Sequence, residues 1–319
     1  MNIQEVLDGL KMPVYQNMSH NKGLIQSLSK EDGEQLKSIV QDLYTSVVSA
    51  KEPMIKLRDG GTLTKVENAT LVNLYLKLRD VKLLELLHAY DEIWGDTTPT
   101  ISPSARSLYY ITQPIWKLQP HNIPKKYNNV NLFSQTYPQA VQETMPDKIN
   151  TILDNLDKWF IFVGSAGTGK THTACGIIHY LRAISTLPYM FNAPGTLNDT
   201  YGLTASFTTA FNMMARIRST FTKESDETTD DVMYYYSNVD YLVIDEFGRT
   251  KDSDFARDAM FEILNNRYND PLKKRTIIMT NMSMEQLKES TDASIVSRFY
   301  EVAVTVNFNW ASLRQPVII

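Results

Sequence analysis

The eight residues GSAGTGKT constrain this chain more than any other feature of its sequence. They follow the apolar run WFIFV, which favours a buried β-strand, and precede a stretch with helical periodicity. This order of strand, loop and helix is the context in which a G-x-x-x-x-G-K-[ST] motif binds nucleotide phosphates. The residues predicted to contact the nucleotide are Gly164, Ser165, Ala166, Gly167, Thr168, Gly169, Lys170 and Thr171.

The residue types of this loop suit a phosphate group. Glycines let backbone N–H groups face the phosphate oxygens, and the N-terminus of the following helix adds positive partial charge. We expect Lys170 to reach the β- and γ-phosphates and Thr171 to ligate Mg²⁺. The sequence therefore predicts ATP and Mg²⁺ as cofactors.

A second apolar run ends in two carboxylates. The residues YLVI at 241–244 lead directly into Asp245 and Glu246, and parallel α/β sheets place their ligands at the carboxyl ends of strands. We expect Asp245 to hold the Mg²⁺ and Glu246 to polarise the attacking water, which favours hydrolysis over nucleotide storage. The alternative is a polar strand end without a role in chemistry. The pattern predicts an ATPase.

Two further polar residues are candidates for the same site. Asn281 follows a predicted strand at 276–280, where it would contact the γ-phosphate or the water. Arg298, in the sequence SRF at 297–299, is a candidate arginine finger that would stabilise charge on the phosphoryl group. Taken alone, Asn281 would be an ordinary strand cap, and Arg298 would be more typical of a surface salt bridge.

The remaining patterns predict an α/β fold preceded by helices. SKED at 29–32 is a capping sequence before an i, i+3, i+4 apolar repeat. Residues 67–94 are dense in Leu and Tyr, which predicts a helical bundle core or a face docked on a partner. Seven prolines interrupt helices between 99 and 146, and short apolar runs then alternate with amphipathic helices. We predict a helical N-terminal domain at 1–95, a proline-rich linker at 96–120 and an ATPase domain with a parallel sheet at 121–319.

Composition limits the other classes of function. The chain has 32 basic and 36 acidic residues and a formal net charge of −4, which is atypical of a protein that coats duplex DNA by charge alone. Its single cysteine, Cys175, excludes an intrachain disulfide and a multi-cysteine zinc site. The sequence has no membrane-spanning apolar run and no signal-peptide pattern, which predicts a cytoplasmic protein.

Four blocks that follow the phosphate loop resemble the AAA+ domain of DnaC-type bacterial replicative helicase loaders. They are SNVDYLVIDEFG at 237–248, Thr280-Asn281, Ser297-Arg298 and NFNWASLR at 307–314. The resemblance covers about residues 121–314 and implies an AAA+ P-loop NTPase domain that self-associates. It also implies two partners, a hexameric replicative helicase and single-stranded DNA, with slow ATP hydrolysis regulating release.

The resemblance assigns a role to each candidate residue. It makes Lys170 and Thr171 the phosphate-loop pair, Asp245 and Glu246 the magnesium and water pair, Asn281 the first sensor, Arg298 a finger that acts on a neighbouring subunit, and Arg314 the second sensor.

A DNA contact on the helix after the second strand is also implied, and the segment 207–223 resembles this element. Its Ala210, Met214, Ile217 and Phe221 form one apolar helical face. The candidate DNA contacts are Thr208, Thr209, Arg216, Arg218 and Lys223. Hydroxyls and cations suit backbone contact without base readout. A solvated basic face is the alternative.

The chain departs from the family pattern at two places. Residues 187–201 are predicted to be an insertion ahead of the second strand. The N-terminal region is longer than that of the usual loader and has no motif that matches the family's helicase-binding segment. These departures favour a phage or mobile-element gene within a bacterial cell.

Three other functions fit parts of the pattern. The main alternative is an IstB-like transposition helper ATPase that binds duplex DNA and a transposase, although the blocks at 237–248 and 307–314 are closer to the loader pattern. A DnaA-type initiator is disfavoured, because the five residues after Arg314 leave no room for a C-terminal helix-turn-helix. Glu246 and Arg298 together argue against an adaptor that binds nucleotide without hydrolysing it.

Overall fold

The computed structural model describes residue 23 and residues 26–79, 122–133, 137–190, 203–222, 225–248, 254–270 and 274–314. The predicted linker at 96–120 and the candidate DNA contact Lys223 lie outside the described residues. In the described part of the chain, no helix has both the length and the apolar character needed to cross a membrane.

The chain divides into two compact units, Met1–Gln119 with His179–Gly202, and Pro120–Ile178 with Leu203–Ile319. The described α-helices are α1 (Lys30–Arg58), α2 (Lys65–Leu78), α3 (Met145–Leu153), α4 (Lys170–Met190), α5 (Ala210–Ser219), α6 (Thr229–Asn238), α7 (Asp254–Asn269), α8 (Met284–Ser290) and α9 (Ala293–Val302). The described strands are β1 (Trp159–Gly164), β2 (Ala205–Thr209), β3 (Tyr241–Asp245), β4 (Arg275–Thr280) and β5 (Ala303–Phe308).

The first unit contains the helices α1 and α2. Helix α1 begins after Ser29, whose Oγ accepts a hydrogen bond from the Asp32 N–H, as the capping sequence predicts. Two ion pairs, Lys56 with Glu67 and Lys77 with Asp42, join α1 to α2. The apolar side chains that α2 buries are Leu71, Val72, Leu74, Tyr75 and Leu78. The apolar repeat predicted after residues 29–32 includes Leu43, Val47 and Val48 of α1, of which Leu43 and Val47 are buried and Val48 is exposed.

The second unit is built on a parallel sheet with the strand order β2-β3-β4-β1-β5. Strand β1 pairs with β4 on one side and β5 on the other, and its Phe160, Ile161 and Phe162 are buried. Because all the strands run in one direction, the carboxyl ends of β1, β3 and β4 meet at one edge of the sheet. The predicted fold class, an α/β AAA+ P-loop domain preceded by helices, is confirmed.

Residues 187–190 of the predicted insertion form the end of α4, which continues to Met190, and the rest of it, up to residue 201, lies outside the described residues. The predicted apolar face of the helix after β2 was partly wrong. The helix after β2 ends at Ser219, so Phe221 falls beyond it and is 60% exposed. Ala210, Met214 and Ile217 are buried as predicted.

Candidate nucleotide-binding site

Two glycines set the path of the phosphate loop at the end of β1. A Cβ atom at Gly164 would lie 2.4 Å from the carbonyl oxygen of Phe308 on β5. Gly167 has a φ of 85°, and a Cβ atom there would lie 2.1 Å from Ser312 Oγ. Both positions therefore exclude a side chain, for reasons of space that the motif alone does not reveal.

Lys170, the first residue of α4, is buried and bonded to two elements of the site. Its Nζ donates to the carbonyl oxygens of Gly164 at 2.5 Å and Ser165 at 2.9 Å. The same Nζ donates to Asn281 Oδ1, at the end of β4, at 2.9 Å. Burial lowers the pKa of Lys170, and the nearby Asp245 carboxylate opposes that shift.

Asp245 ends β3 beside the phosphate loop. Its Oδ2 accepts a hydrogen bond from Thr171 Oγ1 at 3.0 Å, and its Oδ1 accepts one from the Glu246 N–H at 2.8 Å. Burial raises the pKa of Asp245, while these two hydrogen bonds oppose the rise. A hydroxyl and a carboxylate on adjacent elements are hard oxygen ligands of the kind Mg²⁺ prefers. Thr171 and Asp245 therefore fit the predicted metal.

These groups line a cleft of about 370 Å³, a size that suits a small-molecule ligand. Glu246, Asn281 and Arg314 line it together with the phosphate loop. The more apolar residues of its lining include Tyr127, Tyr137, Pro138, Val141 and Met145. No motif marks these apolar residues, because they come from 3₁₀ turns and irregular chain ahead of α3 and from the first residue of α3. The cluster of tyrosine and apolar residues before β1 is the signal that could have revealed them.

Arg298 lies on α9, and it is not among the described residues that line the cleft. Its Nη1 donates to the Ser294 carbonyl oxygen at 2.8 Å, and its Nη2 donates to Asn265 Oδ1 at 2.6 Å. The guanidinium also stacks over the rings of Phe261 and Tyr268, at 5.2 and 5.3 Å from their centroids. The structure thus holds Arg298 against α7, away from the cleft of its own chain.

The candidate DNA contacts differ in how accessible they are. Thr208 is buried within β2, and Thr209 caps α5 by accepting a hydrogen bond from the Asn212 N–H at 3.0 Å. Arg216 Nε donates to Glu227 Oε2 at 3.0 Å, whereas Arg218 is exposed. The candidate DNA contacts therefore differ in solvent accessibility, and Arg218 is the most accessible cation among those that the structure describes.

The sheet order, the phosphate loop after β1 and the polar residues that end β3 and β4 define an AAA+ P-loop protein. No protein-family model matches the chain. The replicative helicase loader DnaC of Buchnera aphidicola subsp. Baizongia pistaciae (strain Bp) is 29% identical to it over 159 residues, which make up 50% of this chain and 57% of that protein. The replicative helicase loader DnaC of Escherichia coli (strain K12) is 28% identical over the same shares.

The chain thus matches little more than half the length of these curated relatives. The crystal structure of the DnaC helicase loader is 26% identical, with a TM-score of 0.44, and the match covers 58% of this chain and 99% of that one. The sequence relatives confirm the resemblance to DnaC-type replicative helicase loaders over half of the chain.

Proposed function

We propose that this protein is an AAA+ ATPase that loads a replicative DNA helicase onto single-stranded DNA. The observation that carries the proposal is the convergence of Lys170, Asn281, Thr171 and Asp245 in one cleft, in a chain whose sequence relatives are named replicative helicase loaders. These names favour loading over the transposition-helper alternative.

The cleft has the groups that ATP hydrolysis needs. Lys170 would move from the loop carbonyls to the β- and γ-phosphates, and Thr171 and Asp245 would hold Mg²⁺. When bound, Mg²⁺ neutralises charge on the phosphate oxygens. Glu246, next to Asp245 at the end of β3, would orient the attacking water and take its proton, while Asn281 fixes the γ-phosphate end of the site.

Two further parts of the cleft complete the nucleotide site. The apolar lining residues Tyr127, Tyr137, Val141 and Met145 would hold the base, because aromatic and aliphatic groups favour a planar, largely apolar ring. Arg314 lines the cleft next to the phosphate loop and would act as the second sensor of the phosphates. These groups would position ATP along the cleft, with its phosphates at the loop.

Hydrolysis would require a second subunit. Arg298 packs against α7 and not in its own cleft, so we assign it to the nucleotide of a neighbouring copy, where it would stabilise the phosphoryl group. An isolated chain would then bind ATP but hydrolyse it slowly. Self-association would raise the rate and link hydrolysis to release of the helicase.

The two partners would bind different units. The helices of the first unit would contact the helicase, and the surface of α5 near Arg218 would contact the phosphate backbone of single-stranded DNA.

A binding measurement with purified proteins tests the choice of partner. The full-length protein is mixed, with ATP and Mg²⁺, with the replicative helicase of the organism that carries its gene, and the complex is measured by size-exclusion chromatography with light scattering. A stable complex with the helicase hexamer is expected. A second mixture contains a transposase of that organism in place of the helicase. A complex with the transposase, and none with the helicase, would contradict the proposal.

A further inference from the structure

The segment that follows β5, residues 309–314, lies directly against the phosphate loop. The indole Nε1–H of Trp310 donates to the carbonyl oxygen of Thr168 at 3.0 Å. Three residues later, the backbone N–H of Leu313 donates to the carbonyl oxygen of Gly167 at 2.9 Å. Two consecutive carbonyl groups of the loop are therefore bonded to one short segment.

Peptide geometry gives these two bonds a consequence for the phosphates. In a planar trans peptide, the C=O of one residue and the N–H of the next point in opposite directions. A Thr168 carbonyl held by Trp310 turns the Gly169 N–H away from the segment, and a Gly167 carbonyl held by Leu313 does the same for the Thr168 N–H. Thr168 and Gly169 both line the cleft, and N–H groups that converge in this way form an anion-binding concavity.

Two side chains of the segment, Ser312 and Trp310, also contact neighbouring parts of this unit. Ser312 Oγ occupies the space that a side chain at position 167 would need, 2.1 Å from an ideal Cβ. The ring of Trp310 lies 5.5 Å from that of Phe308, which is buried, and Lys148 Nζ lies 5.6 Å from the Trp310 ring centroid. Trp310 is thus held between β5 and α3 while its N–H reaches the loop.

We propose that residues 309–314 orient the amide groups of the phosphate loop, and that Trp310 is a positioning residue for nucleotide binding. The inference rests on the proposed nucleotide-binding function. It gives the NFNWASLR block a second role, in addition to the one proposed for its Arg314. Without the indole N–H, the peptide between Thr168 and Gly169 samples other orientations, so part of the binding free energy is spent on ordering it.

The test compares two tryptophan variants of the full-length protein. Trp310→Phe keeps a ring beside Phe308 and removes the N–H donor. Trp159→Phe is the matched control, because Trp159 Nε1 also donates to a backbone carbonyl, that of Lys274 at 2.8 Å, at the end of β1 remote from the loop. The Kd for ATP with Mg²⁺ is measured by calorimetry, and the Tm of each nucleotide-free protein by circular dichroism.

Loss of one neutral hydrogen bond predicts a Kd about three- to tenfold higher for Trp310→Phe, with the Kd of Trp159→Phe unchanged even where its Tm falls. Hydrogen exchange of the amides at 167–170 in the nucleotide-free protein should also be faster in Trp310→Phe alone. Equal Kd values for wild type and Trp310→Phe would overturn the inference and leave the proposed function standing. Absence of ATP binding by the wild type would overturn both.

A second variant covers the case in which Trp310→Phe does not fold. Leu313→Pro removes the N–H that bonds to the Gly167 carbonyl and leaves Trp310 in place. It should raise the Kd for ATP with Mg²⁺ by a similar factor. A folded Leu313→Pro protein with the wild-type Kd would contradict the inference.

Discussion

Lys170 and Asn281 are 111 positions apart in the chain, yet Lys170 Nζ lies 2.9 Å from Asn281 Oδ1. The contact joins the residue that starts α4 to the residue that follows β4, across the edge of the sheet where the phosphates of ATP would bind.

Asn281→Ala tests what this contact contributes. Loss of a hydrogen bond to a charged group predicts a fall in kcat for ATP hydrolysis of about 10- to 100-fold, with a smaller change in KM. Steady-state hydrolysis by the full-length protein measures both quantities. Asn266→Ala, an exposed asparagine on α7, is the control. A kcat equal to that of wild type would show that Asn281 is only a strand cap.

Asp245→Asn should separate stability from activity. Burial raises the pKa of Asp245, so the folded protein favours the neutral form of its carboxyl group. As the pH rises above about 4, the ordinary pKa of aspartate, this carboxyl group therefore destabilises the folded protein increasingly. Asparagine does not titrate, and its amide can still bond to Thr171 and to the Glu246 N–H. The free energy of unfolding of the variant minus that of wild type should therefore be larger at pH 7 than at pH 4.

Urea unfolding at the two pH values, without Mg²⁺, measures this difference. Asp154→Asn, an exposed aspartate after α3, is the control. Hydrolysis by Asp245→Asn should fall about 100-fold or more, because the metal loses a charged ligand. A stability difference that is the same at pH 4 and pH 7 would contradict the assigned effect of burial.

Arg298→Ala tests action between subunits. Because Arg298 lies outside its own cleft, the variant should keep the wild-type Kd for ATP and lose hydrolysis by about 1000-fold or more. Lys170→Ala should bind ATP poorly but still offer its Arg298 to a neighbour.

Mixing these two inactive variants should restore part of the ATPase activity. Wild-type activity per subunit should also rise with protein concentration. A mixture as inactive as its components, with a wild-type rate that does not depend on concentration, would show that Arg298 does not act in trans.

Arg218→Ala and Arg216→Ala test the DNA contact. Arg218 is exposed, whereas the Arg216 guanidinium is held by Glu227 and lies over the Tyr235 ring. Arg218→Ala should therefore weaken binding to single-stranded DNA more, and reduce the slope of log Kd against log salt by about 0.7. Fluorescence anisotropy with a labelled oligonucleotide at several salt concentrations measures the effect. A larger loss for Arg216→Ala would contradict this assignment.

The sequence predicts β3 and β4 well, because each is a short apolar run that leads directly to a charged or amide side chain, and it predicts β1 well because the glycine-rich motif follows that strand. The ends of β1, β3 and β4 fall within one residue of the expected positions. Helix boundaries were harder to predict. Pro188 is typical of a helix break, yet α4 continues past it to Met190.

Contacts that depend on the path of the folded chain were not predictable in this way. No local pattern indicates that Arg298 packs on Phe261 and Tyr268, or that Trp310 and Leu313 bond to the phosphate loop. These contacts join segments that are far apart in the chain. They form only in the folded protein, where β5 pairs with β1 and α9 packs on α7.

The most direct test of the account is the loading reaction itself. A single-stranded DNA circle is incubated with the full-length protein, the replicative helicase of the organism that carries its gene, ATP and Mg²⁺. The DNA-bound helicase is counted after removal of free protein. Wild type should raise the amount of helicase on the circle well above the level reached by helicase alone, and Lys170→Ala should not. The control is Lys158→Ala, which changes an exposed lysine before β1 and should act as wild type. Equal loading with and without wild-type protein would contradict the account.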